Sequence, residues 1–323
     1  MLCTMPKTTT EPFAISDQLI AAGTKQKIEI PIANLMSGTP VSLPLVVLHG
    51  SHPGPAMWLT ATIHGDELCG IDIIRRVLDV LNPKHMSGTV VTVPIVNVHG
   101  FNTGQRYLPD RRDLNRSFPG SRRGSLASRI AYLLMSEVIA HCPIGIDLHT
   151  GSDRRENLPQ IRADLDDPQT LELAKVFGAP IAIHSRLRDG SMRQAATEAD
   201  TTVLLYEAGE ANRFSETAIR AGTAGVLRVI EHLGIQDGIA EPAASVKISR
   251  SSTWVRANRS GIVHIETELG DGVVIGETIA SIRDPFGKLL GKVAARRSGV
   301  IIGMTHAPLV NRGDALIHIA EVA

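Results

Sequence analysis

Short runs of apolar, often β-branched residues recur through the first two thirds of the chain, at 44–48 (PLVVL), 57–63 (MWLTATI), 89–98 (TVVTVPIVNV), 144–148 (IGIDL), 180–183 (PIAI) and 202–206 (TVLLY). They are too continuously apolar to have a solvent face, which predicts strands buried on both sides. Between them, 67–81, 125–141, 168–178 and 213–233 carry apolar residues at 3.6-residue spacing and predict helices. Strands alternating with amphipathic helices predict an α/β domain over 41–240, its sheet mostly parallel or mixed and covered by helices on both faces. Residues 1–40 read as an amino-terminal arm.

After about residue 240 the pattern changes to short alternating strands punctuated by glycine, with no amphipathic helix. A unit repeats there: SGIVHIETELGDGVVIGETIASI begins at Ser260 and SGVIIGMTHAPLVNRGDALIHI at Ser298, with Gly276 and Gly313 in matching places. Two similar hairpin units folding together predict a small all-β, barrel-sandwich-like domain over 241–323, with the glycines at turns. Lys288 and Lys292 flank LLG without forming a carrier-module attachment motif, so no covalent cofactor is expected. This domain reads as a lid or as an oligomer contact.

Composition narrows the function. Lysine plus arginine equal aspartate plus glutamate at 33 each, which removes the electrostatic case for a nucleic-acid or anionic-membrane partner. Aromatic residues are only 3% of the chain, too few for base-stacking platforms. Cys3, Cys69 and Cys142 are far apart and form neither a disulfide framework nor a cysteine metal knot. With no secretory leader and no apolar run of about 18 residues, the expectation is a soluble, cytoplasmic protein acting on a small polar molecule.

The candidate chemistry starts at HGDE, where His64 is expected to close a strand and Glu67 to open the next helix, with Gly65 allowing the turn between them. Carboxyl ends of strands in such a sheet form the ligand crevice. His149, in DLHTG at the end of another predicted strand, supplies a third ligand. Two imidazoles and one carboxylate suit one Zn2+ per chain and leave a coordination position for water, the pattern of a catalytic site. His52, His85, His99, His184 and His232 lack companions at ligand spacing and read as structural or surface residues. Six arginines lie in the glycine-bounded loop between the ligand segments: Arg106, Arg111, Arg112, Arg116, Arg122 and Arg123. An arginine beside a metal grips a carboxylate or steadies an oxyanion. Glu207, ending a strand in YEAGE, is placed to take a proton from water, with Glu210 as its competitor.

The ordered segments HGDE, DLNRSFPG, DLHTG and YEAGE, with the glycine-punctuated carboxy-terminal unit, resemble the succinylglutamate desuccinylase and aspartoacylase family of the zinc carboxypeptidase clan. The resemblance implies that His64, Glu67 and His149 hold zinc and that Glu207 is the general base. It further implies that Arg106 polarises the scissile carbonyl, with Arg111 or Arg112 as stand-ins. Asn115 and Arg116 would hold a substrate carboxylate, Asp113 would orient the first histidine, and Arg193 would grip the acyl side. The implied activity is deacylation of a small N-acyl amino acid. A metallocarboxypeptidase or peptidoglycan amidase shares the same chemistry, and a non-catalytic binder of a carboxylated metabolite is the reading from another class.

Overall fold

The computed structural model describes residues 10–322; Cys3 lies outside the described residues. A 13-stranded sheet organises the chain. At its centre Thr202–Glu210, Ile144–Gly151, His52–Ala61 and Ser87–Val93 lie side by side, each parallel to its neighbour. Antiparallel strands extend both sides: Pro40–His49 and Thr24–Asn34 beyond Ser87–Val93, and Arg155–Ala163 beyond Thr202–Glu210. The sheet is therefore mixed, with a parallel block at the middle, where both faces are covered, and further parallel pairs of Ile181–His184 with Arg155–Ala163 and with Lys247–Ser249.

Helices Cys69–Val80, Pro168–Phe177 and Glu216–His232 pack one face, with Ile73, Phe177 and Val226 in that core. Helices Leu126–Glu137 and Met192–Glu198 cover the other, around Trp58, Ile130 and Met192. Gly145 lies in strand Ile144–Gly151 where a Cβ would sit 1.8 Å from Trp58 Cε2, so the indole occupies the space a side chain would need.

Four segments depart from the sequence pattern. Thr24–Asn34 lies inside the segment read as an arm, yet the buried Ile28, Ile30 and Ile32 alternate with exposed Glu29 and Pro31 and the segment pairs with Pro40–His49 as a strand with one buried face. Arg155–Ala163 and Met192–Glu198 were not expected: the first is interrupted by polar and charged residues, the second is only seven residues long. The run at 89–98 ends as a strand at Val93 and turns into a short helix at Val98.

In the carboxy-terminal part, the repeat is a structural one. Gly261–Ile265, Gly272–Val273 and Thr278–Arg283 correspond to Gly299–Thr305, Leu309–Val310 and Ala315–Ala320. Each unit lends its short strand to the other: Gly261–Ile265 pairs with Leu309–Val310, and Gly272–Val273 with Gly299–Thr305. Gly276 and Gly313 hold matching turns at positive φ, 87° and 100°. This domain also continues the main sheet, since Gly299–Thr305 runs antiparallel to Arg155–Ala163. Among the described residues no helix is long and apolar enough to cross a membrane.

Candidate metal centre and active-site cavity

His64 and Glu67 both lie in the connection between His52–Ala61 and Cys69–Val80, rather than at the strand end and helix start expected. Thr62 there takes φ 57°, and Gly65 packs so tightly that a Cβ would come within 2.0 Å of the Gly100 carbonyl carbon. The turn is thereby fixed, with His64 and Glu67 both buried. His149 arrives from the central parallel strand, and its Cα register partner on the neighbouring strand is Glu207.

The three residues converge. His64 Nδ1 lies 2.6 Å from Glu67 Oε1, and His149 Nδ1 lies 2.8 Å from Glu67 Oε2. The ligand atoms all fall within 4.8 Å of one another. Behind each ring stands a carboxylate: Asp113 Oδ1 is 3.3 Å from His64 Nε2, and Asp147 Oδ2 is 2.6 Å from His149 Nε2. A carboxylate at the far nitrogen holds the proton there and turns the Nδ1 lone pair inward, the tautomer a metal requires. The donor set thus fits a divalent zinc-type cation.

Charges are arranged to match. Burial opposes ionisation of Glu67, yet His64 and His149 hold its carboxyl well below the ordinary range. Burial likewise opposes charge on His149, but Asp147 and Glu67 raise its pKa. Asp113 is partly buried, and its close charge contact with His64, with Arg106 adding to it, keeps its carboxyl below the ordinary range. Asp113 also accepts from Asn115 N at 2.9 Å, so it caps the turn Leu114–Arg116 as well as backing His64.

These groups open onto a cavity of about 730 Å³. Arg106 lines it, with Nη1 3.3 Å from Glu67 Oε1 and Nη2 3.0 Å from Asp113 Oδ2. Arg111 and Arg112 are exposed and do not line it. Asn115 is buried; its Oδ1 accepts from Met192 N at 2.8 Å, which leaves the amide NH2 free to donate. Arg116 bonds to the Asn115 carbonyl and lines the cavity. Glu207 lies on the wall, where burial pushes its carboxyl above the ordinary value against the pull of Arg162 and His149. Glu210 points elsewhere, 3.4 Å from Arg213. A bulge in the pairing follows Glu207, with Gly209 at φ 73°, and it separates the courses of the two glutamates.

Arg193, expected at the acyl side, is only 7% exposed and lines the cavity. Its Nη2 donates to the carbonyls of Ser185 and Arg186 at 3.0 and 2.7 Å, tying down the loop before its helix. Burial, reinforced by the neighbouring Arg162 cation, lowers its pKa to about 10. His184 does have acidic companions, Asp164 at 3.7 Å and Asp166 at 3.8 Å, but Asp166 is also paired with Arg250.

Several residues of the site were not foreseen. Asp147 precedes His149 by two, the spacing that puts both side chains on one face of a strand. That D-x-H spacing was the available signal. Asn157 and Arg162 come from the unpredicted strand, and Trp254 comes from the carboxy-terminal domain. The Trp254 ring stacks on His318 at 4.5 Å, with the Arg155 guanidinium 5.4 Å from its centre.

The family model for the succinylglutamate desuccinylase/aspartoacylase catalytic domain matches residues 53–233. N-alpha-acetyl-L-2,4-diaminobutyric acid deacetylase of Halomonas elongata is 29% identical over 310 residues, covering 91% of this chain and 90% of that one. A crystal structure of succinylglutamate desuccinylase/aspartoacylase from Rhodobacter sphaeroides superposes with a TM-score of 0.82 at 28% identity, covering 93% of this chain and 96% of that one. The product-bound ectoine utilization protein EutE (DoeB) of Ruegeria pomeroyi shares the fold, with a TM-score of 0.84 at 22% identity over 96% of this chain and 99% of that one. The match to more than half of its length, together with the four ordered segments, makes this chain a member of the succinylglutamate desuccinylase/aspartoacylase family.

Proposed function

We propose that this protein is a zinc-dependent amidohydrolase that removes the acyl group from a small N-acyl amino acid. The observation that carries the reading is the convergence of both histidine Nδ1 atoms on Glu67, each ring backed by a carboxylate, beside a cavity that also holds Glu207. His64, Glu67 and His149 would hold the zinc, which supplies Lewis-acid polarisation of the amide carbonyl and lowers the pKa of water toward about 7.

The chain's own residues do the rest. Glu207 takes the proton of the attacking water and returns it to the departing amine, base first and acid second. Its raised pKa brings it nearer to the value suited to both tasks. The Arg106 guanidinium, already turned toward the metal ligands, steadies the negative charge that develops on the carbonyl oxygen. The free amide of Asn115 and the fork of Arg116 grip the amino-acid carboxylate. Arg193 keeps the loop at 185–191 against the cavity, on the side where the acyl end would lie.

Substrate size favours an acyl amino acid over a polypeptide, since Trp254 makes the carboxy-terminal domain part of the cavity wall. The Halomonas relative's name points to N-α-acetyl-2,4-diaminobutyrate as a first compound to test. The test is a panel of acetyl and succinyl derivatives of aspartate, glutamate and 2,4-diaminobutyrate, with peptides as the competing arm and metal content measured alongside. Glu207→Gln should keep its zinc and lose about 10²- to 10⁴-fold in turnover. Unchanged turnover in that variant refutes the base assignment, and preferential cleavage of peptides refutes the substrate class.

A further inference from the structure

Glu207 does not stand alone on its wall. Asn157 Nδ2 donates to Glu207 Oε2 at 2.7 Å, and Asn157 is itself only 7% exposed. An ionised carboxylate can only accept, so this contact fixes which way the amide faces and turns Asn157 Oδ1 away from the base. Opposite Asn157 in the antiparallel register lies Gly303, in the carboxy-terminal strand Gly299–Thr305. A Cβ on Gly303 would come within 2.9 Å of Asn157 Oδ1 and 3.4 Å of His318 Cβ. Gly303 is not among the glycines at positive φ, so backbone freedom does not explain it. The space is what matters: a methyl there would have to displace the Asn157 amide oxygen.

We propose that Asn157 is the positioning residue of the catalytic base, and that the carboxy-terminal domain sets its orientation through the missing side chain at Gly303. This rests on the reading of Glu207 as the base. With Oε2 tethered, the carboxylate cannot swing, and Oε1 is the oxygen left to take the proton of water. The other neighbour of Oε1 is Arg162, whose Nε is 4.0 Å away and makes no hydrogen bond among the described residues. A methyl group at 303 presses on Asn157 Oδ1, turns the amide and releases the base. The second domain therefore does more than cover the cavity; it reaches the proton-transfer step through one strand contact.

The experiment compares Asn157→Ala, Gly303→Ala, the double variant and Glu207→Gln on the same acetyl and succinyl amino-acid panel, with zinc content measured for each. Asn157→Ala is expected to lower kcat about 10- to 100-fold with KM and zinc content unchanged, the size of effect seen when a partner that orients an active group is removed. Gly303→Ala is expected to lower kcat in the same way, and the double variant to be no slower than Asn157→Ala, because the methyl then has nothing to push. A kcat for Asn157→Ala at the wild-type level, with Glu207→Gln inactive, overturns this proposal and leaves the base reading intact. Additive losses in the double variant, or loss of zinc from Asn157→Ala, overturn it in favour of a merely structural role. If Gly303→Ala fails to fold, Asn157→Ala decides the matter through the split between kcat and KM. A Glu207→Gln enzyme that still turns over, or a wild type inactive on the whole panel, sinks the base reading and this proposal together.

Discussion

Replacing Asp147 with asparagine removes one negative charge from behind His149 while keeping the shape of the side chain. The Asp147 side chain is 1% exposed, accepts from Thr60 Oγ1 at 2.7 Å and stands 2.6 Å from His149 Nε2. An asparagine oxygen can still accept from the imidazole, but a neutral acceptor makes the ring a poorer electron donor through Nδ1. Removing such a partner lowers metal affinity about 10- to 100-fold, or about 1.4 to 2.7 kcal/mol. Asp147→Asn should fall near the lower figure, and Asp147→Ala, which also orphans the Thr60 hydroxyl, near the upper. Asp113 gives an internal comparison: its side chain is 17% exposed, and it meets His64 Nε2 at the longer distance of 3.3 Å. Asp113→Asn should therefore weaken zinc binding less than Asp147→Asn. The assay is equilibrium competition between each variant and a chelator of known zinc affinity. Zinc bound by Asp147→Asn as tightly as by the wild type, or a larger loss in Asp113→Asn, would refute the reasoning.

Three further outcomes follow from the structure. Glu207 must be ionised to accept a proton, and burial raises its pKa, so kcat/KM should fall with decreasing pH at a higher pH than an exposed glutamate sets. Arg162→Met removes the cation 4.0 Å from Glu207 and should move that acid limb to still higher pH; a limb that stays put or moves down contradicts the assignment. Gly145→Ala drives a methyl into the Trp58 indole and should cost about 3 kcal/mol or more of stability in chemical denaturation, whereas a cost below about 1 kcal/mol would show that the indole yields.

The parts of the fold set by burial on both sides were legible in the sequence. The parallel strands around His52–Ala61 and Ile144–Gly151 announce themselves as apolar runs, and the long helices by their period. Arg155–Ala163 did not, for a physical reason: Arg155, Asn157 and Arg162 line the cavity and break the apolar pattern there, and Gln160 is buried against the Ile302 carbonyl. Thr24–Asn34 carried a plain period-two signal at its isoleucines but sits at the sheet edge, outside the alternation of strand and helix. In the site, the convergence of His64, Glu67 and His149 was legible from residue type and order, although His64 and Glu67 lie in the connection after the strand rather than at its end and at the helix start. Contacts across distant segments were not: nothing in the order of residues ties Asn157 to Glu207, Gly303 to Asn157, or Trp254 to the cavity. Arg193 shows the same limit, because its place in a short helix hid how deeply that helix packs.

Every step proposed above depends on two imidazoles and one carboxylate gathering one zinc ion. Elemental analysis joined to zinc X-ray absorption of the purified protein tests it most directly. One zinc per chain is expected, in a shell of nitrogen and oxygen with two histidine rings, with loss of the metal in His149→Ala. A chain that takes up no zinc, a sulfur-containing shell, or full metal retention without His149 would contradict it.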